Sequence, residues 1–267
     1  QSGGGFVAWC WKAGNTTVTN TQGTVDASVR AGNGFSIATF VAADSGDFSI
    51  GHGLGAEPKF VIVKTLDEVS DWYVYHRDAT STSEALKLNT SDGVIAGSSR
   101  WGPSRPTDEV VWMTTNNVVK NNKNCIAYMF AETDHSKFGV YTGNGAAEGV
   151  PVDVGFEPAF VMIKKALGAG DWNVIDNARN PFNLRDKSLT PNKSQAERDD
   201  QAKMNFSSTG FQLINSSDEY NQAAQTFIYA AFATTTTTYD ANDAADVAAF
   251  NTVKAALDAY PENRDNF

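Results

Sequence analysis

EPKFVIVK at Glu57–Lys64 and EPAFVMIK at Glu157–Lys164 are nearly one strand written twice. Each opens on Glu-Pro and runs on as an unbroken apolar stretch rich in β-branched residues. Proline has no N–H to give a ladder and suits the first position of a strand. The β-branched content favours strand over helix, and a run apolar at every position suits a strand covered on both faces.

The matches extend well beyond these strands, and such self-similarity is read before any single motif. Pro58, Phe60, Val61 and Lys64 fall on Pro158, Phe160, Val161 and Lys164, one hundred residues on, and Asp71, Trp72 and Val74 fall on Asp171, Trp172 and Val174. Upstream, GFSIATF (Gly34–Phe40) aligns with KFGVYTG (Lys137–Gly143), placing Phe35 on Phe138. Each unit closes on a similar strand, CIAYMFAE (Cys125–Glu132) and TFIYAAFA (Thr226–Ala233). FVAWCWK (Phe6–Lys12) has the same closing pattern, so the chain is expected to begin inside a longer array.

The expected architecture is therefore all-β: an antiparallel, jelly-roll-like β-sandwich built from two tandem repeats. Residues 1–33 are assigned to the terminal strand of a preceding repeat plus a linker, 34–133 to the first repeat and 134–233 to the second. Either each repeat is a small sandwich, or the two supply the sheets of one larger jelly roll; the second is preferred because single sandwiches of about 200–250 residues are common. DWYVYHR, EALKLNT and VVWMTT read as further strands, and FQLINSS with TFIYAAFA as a hairpin. Turn signals such as AGNG, SDG and TGNG punctuate these runs. From 234 to 267 the character changes: five threonines form a connector, and DANDAADVAAFNTVKAALDAY spaces its apolar residues as a short amphipathic α-helix stopped by Pro261.

Composition narrows the function classes. The 16 Phe, 8 Tyr and 6 Trp with only 19% charged residues suit strands and turns. A formal charge of -10 without a basic cluster lacks the footprint of a nucleic-acid binder. Membrane insertion is not expected either, since no apolar run approaches the roughly 18 residues of a span. Cys10 and Cys125 form no metal-spaced pair and read as small apolar strand residues, with a single bridge between them left open.

No catalytic constellation emerges, and no enzyme is expected. His52, His76 and His135 are scattered; His52 in GHGLG reads as a turn residue, and His76, replaced by Asp176 in the second copy, as a tolerant surface position. GNGAAEG (Gly143–Gly149) precedes no helical pattern and is not a phosphate loop. Asp71, Asp78, Glu84, Asp108, Asp171 and Asp176 are available to a glycosidase, but no spacing pairs any two. SDEYN (Ser217–Asn221) and DAND are acidic enough for structural calcium without defining a site, and no cofactor is expected. Carbohydrate binding has more support, because sugar sites combine flat aromatic faces with polar groups. SSRWGPSRP (Ser98–Pro106) sets Trp101 between Arg100 and Arg105, and NARNPFN (Asn177–Asn183) offers Arg179 beside an Asn-Pro turn.

Taken as a set, FVAWCWKAG, GHGLGAEPKFVIVK, IAYMFAE followed by SKFGVYTGNG, and GFEPAFVMIK with DNARNPFN resemble the repeat-containing tail-fibre-like proteins of marine bacteriophages, those of cyanobacteria especially. The resemblance implies a virion-surface, extracellular fibre or appendage module that self-associates, as a trimer, contacts other virion proteins and takes part in host attachment, with a host surface glycan as the expected ligand. It carries no catalytic residues across. Alternatives are a carbohydrate-binding or polysaccharide-depolymerising module on the same scaffold, and a subunit of an extracellular filament or surface layer.

Overall fold

The computed structural model describes residues 7–199 and 203–233. Glu57-Pro58 opens strand β5 (Pro58–Thr65), and Glu157-Pro158 opens β13 (Pro158–Lys165). Along β5 successive side chains point to opposite faces. Phe60 and Ile62 enter one apolar cluster with Tyr128 and Phe130; Val61 and Val63 enter another with Phe40 and Met129. Strand β13 does the same, with Phe160 and Met162 on one side and Val161 and Ile163 on the other. Both faces of each strand pack against apolar side chains, which is why neither run alternates with polar residues.

In the first sheet β5 lies between β10 (Asn124–Ala131) and β6 (Tyr73–His76), and β10 also pairs with β3 (Phe35–Val41). In the second, β13 lies between β17 (Thr226–Ala233) and β14 (Trp172–Asp176), and β17 pairs with β11 (Ser136–Thr142). All pairings are antiparallel, and the order β3-β10-β5-β6 recurs as β11-β17-β13-β14. The register recurs too. Phe130 faces Phe60 as Phe232 faces Phe160, Ile126 faces Lys64 as Ile228 faces Lys164, and a register shift precedes the pairs Ala131–Pro58 and Ala233–Pro158.

The alignment of GFSIATF with KFGVYTG needs correction. Phe130 faces Phe35, whereas its counterpart Phe232 faces Ser136, so Phe35 corresponds to Ser136 and Ile37 to Phe138. The two-residue slip keeps every side chain on its expected face, because the side-chain period of a strand is two.

The first sheet is wider than the second. Beyond β3 come β2 (Ala27–Ala31) and β1 (Val18–Asn20); beyond β6 come β7 (Glu84–Lys87) and β8 (Ile95–Ala96). The inner faces of the two sheets meet in a shared aromatic layer. Phe60 stacks on Phe138 at 5.9 Å and 7°, and Phe130 meets Phe232 edge-on at 5.6 Å. Fully burying one such side chain contributes roughly 1.5–3 kcal/mol. Polar bonds cross the same seam: Trp172 Nε1 donates to the Lys87 carbonyl at 2.8 Å, and Val94 N donates to the Ala166 carbonyl at 2.7 Å.

Each outer face has its own cover. The pair β4 (Asp47–Gly51) and β9 (Val110–Thr114) brings Phe48, Ile50, Val111 and Met113 onto the first sheet. The second is backed by β12 (Val152–Asp153), β16 (Gly210–Leu213) and β15 (Met204–Ser207), which bring Phe211, Leu213, Met204 and Phe206 onto Val161 and Ile163. The result is four antiparallel layers with three apolar interiors.

Several expectations are revised. FQLINSS and TFIYAAFA do not form a hairpin; β16 pairs with β12 and β15, while β17 lies in the central sheet. The stretch Val7–Lys12 forms no strand, and within the supposed linker β1 and β2 extend the first sheet. In place of a ladder, Trp9 and Trp11 lie edge-on against Phe160 at 5.5 Å. The described residues contain no helix, and the threonine connector and amphipathic helix assigned to 234–267 lie outside them.

Candidate functional site

The four residues singled out for glycan binding are not brought together, and the central one faces inward. Trp101 is fully buried, lies edge-on to Tyr75 at 5.7 Å and donates its Nε1–H to the Glu84 carbonyl at 2.8 Å. An indole so enclosed has no face to offer a sugar. Arg105 is fixed on the Arg77 carbonyl at 2.7 Å, and Arg100 lies over the Tyr73 ring and reaches the Ala96 carbonyl at 3.3 Å. Arg179 stands apart, held by Asp176 at 2.7 Å, Glu197 at 2.8 Å and the Val174 carbonyl at 3.1 Å. All its directions are used for structure. The adjoining loop instead leaves Phe182 79% exposed.

Two of the histidines are structural. His76, expected at a tolerant surface position, is fully buried, and its Nε2 donates across the seam to the Tyr229 carbonyl at 3.3 Å while Nδ1 accepts from Asp78 N at 3.3 Å. Burial pushes its pKa down to about 4. His52 repeats the pattern, bonding Thr107 O at 3.2 Å and accepting from Leu54 N at 3.2 Å, with burial again lowering its pKa. Cys125 is buried in β10, whereas Cys10 is exposed and in no strand; both are free thiols.

The acidic candidates serve loops. Asp71 accepts from Asn89 Nδ2 at 3.0 Å and pairs with Lys87 at 2.7 Å, while Asn89 Oδ1 takes the Trp72 N–H at 3.0 Å. Asp171 accepts from Asn192 Nδ2 at 2.8 Å and pairs with Lys193, while Asn192 Oδ1 takes the Trp172 N–H at 2.9 Å. The same lock thus holds both copies of the Asp-Trp turn, and its partners hold both aspartate pKa values down against the burial that would raise them. Within SDEYN, Asn221 ties down the glycine-rich loop through Asn144 N at 3.0 Å and the Ala146 carbonyl at 2.9 Å. Among the described residues, no group of three or more His, Cys, Asp or Glu side chains is placed to hold a metal ion, and no helix is long and apolar enough to cross a membrane.

The surface best suited to a ligand lies where the two copies differ. A groove of ≈ 330 Å³ opens on the inner face of the first sheet, walled by Trp9, Trp11, Trp72 and Tyr128 and floored by Ile37, Ile62, Phe35 and Phe130. Trp72 and Tyr128 are half-buried and stack at 6.5 Å with 21° between their planes, and the Lys64 ammonium stands 5.9 Å from the Trp72 ring. In the second copy Trp172 is 1% exposed and Tyr128 is replaced by Ala230. The indole of Trp172 spends its N–H on Lys87; among the described residues those of Trp72 and the Tyr128 hydroxyl meet no hydrogen-bond acceptor or donor. Lys64 is held by Ser70, and burial lowers its pKa. Its counterpart Lys164 is almost wholly buried, donates to the Lys165 carbonyl at 2.9 Å, and is pushed by desolvation to about 8.

The groove thus offers stacked aromatic faces, unspent polar tips and a cation at one edge, within the roughly 300–1,000 Å³ of small-ligand sites. Sequence reasoning missed it because Trp9, Trp11, Trp72 and Tyr128 lie in three distant segments. The readable signal was Tyr128 against Ala230, an aromatic present in only one copy of a repeated strand.

No curated protein and no solved structure matches the chain. A family profile does, over residues 1–236, and the chain belongs to that family, the domain of unknown function DUF7483.

Proposed function

We propose that the chain is a structural and adhesive module of a bacteriophage fibre or virion appendage, built as a tandem-repeat, jelly-roll-like sandwich that self-associates and meets host-surface glycan through the Trp72–Tyr128 groove. The observation that carries this reading is the groove itself: a stacked Trp72–Tyr128 pair left half-open on the first sheet, where the second sheet has a buried Trp172 and Ala230 in the place of Tyr128. Sugar rings present C–H faces that pack on aromatic rings and hydroxyls that bond to groups such as the indole N–H, phenol and ammonium at its rim. The matched registers of the two sheets support the tandem-repeat part of the reading. The resemblance of the repeat blocks to marine phage fibres supports the virion part.

The test is a glycan array carrying surface polysaccharides of marine bacterial hosts, probed with the wild-type chain and with Trp72→Ala and Tyr128→Ala. Selective binding lost in both variants, with unchanged far-ultraviolet circular dichroism, is expected. Binding that survives both substitutions removes the groove from the proposal, and failure of the wild type to bind any host polysaccharide removes the adhesive role.

A further inference from the structure

Asn-Gly occurs twice in the chain, in AGNG (Ala31–Gly34) and in TGNG (Thr142–Gly145). An asparagine before glycine is open to attack on its own side chain, because no Cβ shields the backbone nitrogen that follows. The two turns are alike in backbone and in exposure: Gly34 and Gly145 have φ of 73° and 68°, and both asparagines are exposed. They differ in what their reacting groups are bonded to.

In the TGNG turn both reacting groups are tied down. Gly145 N donates to the Asn221 carbonyl at 2.8 Å, and Asn144 Nδ2 donates to the Glu148 carbonyl at 2.9 Å. Asn144 Oδ1 accepts from Ala146 N at 3.0 Å and from Asn221 Nδ2 at 2.8 Å. In the AGNG turn, which joins β2 to β3, the closing bonds bypass the pair: Gly32 N donates to the Phe35 carbonyl at 2.8 Å, and Ala131 N to the Gly34 carbonyl at 2.9 Å. Among the described residues the Asn33 amide meets no hydrogen-bond partner and the Gly34 N–H no acceptor. The nucleophile and the group it attacks are thus both unengaged in one turn and both engaged in the other.

We propose that Asn33 is a site of spontaneous covalent modification, with water as the co-reactant, and that the fold protects Asn144 from the same reaction. Gly34 N attacks Asn33 Cγ; the new C–N bond closes a cyclic imide, the Cγ–Nδ2 bond breaks, and the departing amide nitrogen takes the Gly34 proton with it as ammonia. Water then opens the ring. Cleavage of the bond to the side-chain carbonyl gives aspartate, and cleavage of the bond to the Asn33 main-chain carbonyl gives isoaspartate, whose backbone runs through the side chain and is a methylene longer. No oxidant or reductant enters the balance. Hydroxide removes the Gly34 proton ahead of the attack, so the rate rises with pH. Either product adds a negative charge to a chain of net charge -10. Isoaspartate also lengthens the turn next to the Ala31–Ser36 pair, and turn length is what fixes the register of such a hairpin.

The test is incubation of the full chain at neutral and alkaline pH, folded and in urea, followed by peptide mass mapping with detection of isoaspartate, wild type beside Asn33→Gln. An ordinary hydrogen bond that has to open first slows a step by up to about tenfold, and Asn144 has several to release. In the folded chain residue 33 is therefore expected to convert at least about tenfold faster than residue 144, with isoaspartate among its products and a higher rate at alkaline pH. In urea the two rates converge. Asn33→Gln, whose longer side chain closes the ring poorly, is expected to remove the modified peptide and leave the far-ultraviolet circular dichroism unchanged. A ratio of the two rates no larger in the folded chain than in urea, or a residue 33 that converts in urea and not in the fold, overturns the proposal.

Discussion

At the scale of single residues, burial decides what His76 and Lys164 do. His76 is neutral in the fold, with a pKa of about 4 against an ordinary 6.5. As pH falls below 6.5 the unfolded chain takes up the proton first, so His76's contribution is complete above that pH and is lost progressively down to about 4. Linkage puts this loss at roughly 2 kcal/mol between pH 7 and pH 5. His76→Gln, which keeps a donor for Tyr229, is expected to flatten the acid limb of urea-unfolding stability by that amount; parallel limbs in both proteins count against neutral burial. Lys164 works in the opposite direction. Its folded pKa of about 8 lies below the ordinary 10.5, so it costs stability below pH 8 and relieves the cost as pH rises towards 10.5. Among the described residues no carboxylate forms a salt bridge with it, Asp171 and Asp92 acting only at longer range, and replacing buried ionic side chains by apolar ones of similar volume is neutral to stabilising by about 1–4 kcal/mol. Lys164→Met is therefore expected to raise the denaturation midpoint at pH 7, whereas Lys64→Met, at a half-exposed site, is not.

Some of this residue-level chemistry was legible and some was not. The replacement of His76 by Asp176 reads in sequence as tolerance, but both side chains are buried, one bonded to Tyr229 and the other to Trp9 and Arg179. A buried polar site can change residue type between copies if each has its own partners, and partners distant in sequence leave no local trace. Trp101 misled for a similar reason: the Gly-Pro-rich loop around it suggested exposure, while the indole points inward.

At the scale of elements, EPKFVIVK and EPAFVMIK were legible because a strand packed against apolar side chains on both faces is apolar along its run. The pairing of Asp71 with Asn89 and of Asp171 with Asn192 was hidden, since loops of different length separate the partners in the two copies. So was the placement of β16, which covers a central strand through Phe211 and Leu213 from a segment distant in sequence. The two tryptophans of the repeated Asp-Trp turn now have different tasks. Trp172→Phe loses the bond to Lys87 and part of a filled site and is expected to cost about 2–4 kcal/mol of unfolding free energy. Trp72→Phe is expected to change stability by less than about 1 kcal/mol, since it opens no cavity in a closed interior. Equal costs at the two positions, measured by urea titration, contradict the division of labour.

At the scale of the whole molecule, the two central sheets share one aromatic layer, and each keeps a private interior on its other face. Sequence alone left the packing of the sheets open because each alternative places the same side chains inside; the contacts across the seam, Phe60 on Phe138 and Phe130 on Phe232 among them, are between residues distant in sequence. This arrangement leaves the loops and one groove at the surface. At high ionic strength the net charge of -10 is screened beyond a few ångström, so the recognition proposed for the groove would depend on stacking more than on long-range attraction. The most direct measurement is a calorimetric titration of host surface polysaccharide into the wild-type chain and Trp72→Ala at equal folded stability. Binding by the wild type and at least about tenfold weaker binding by the variant is the predicted result; equal affinities would contradict the account.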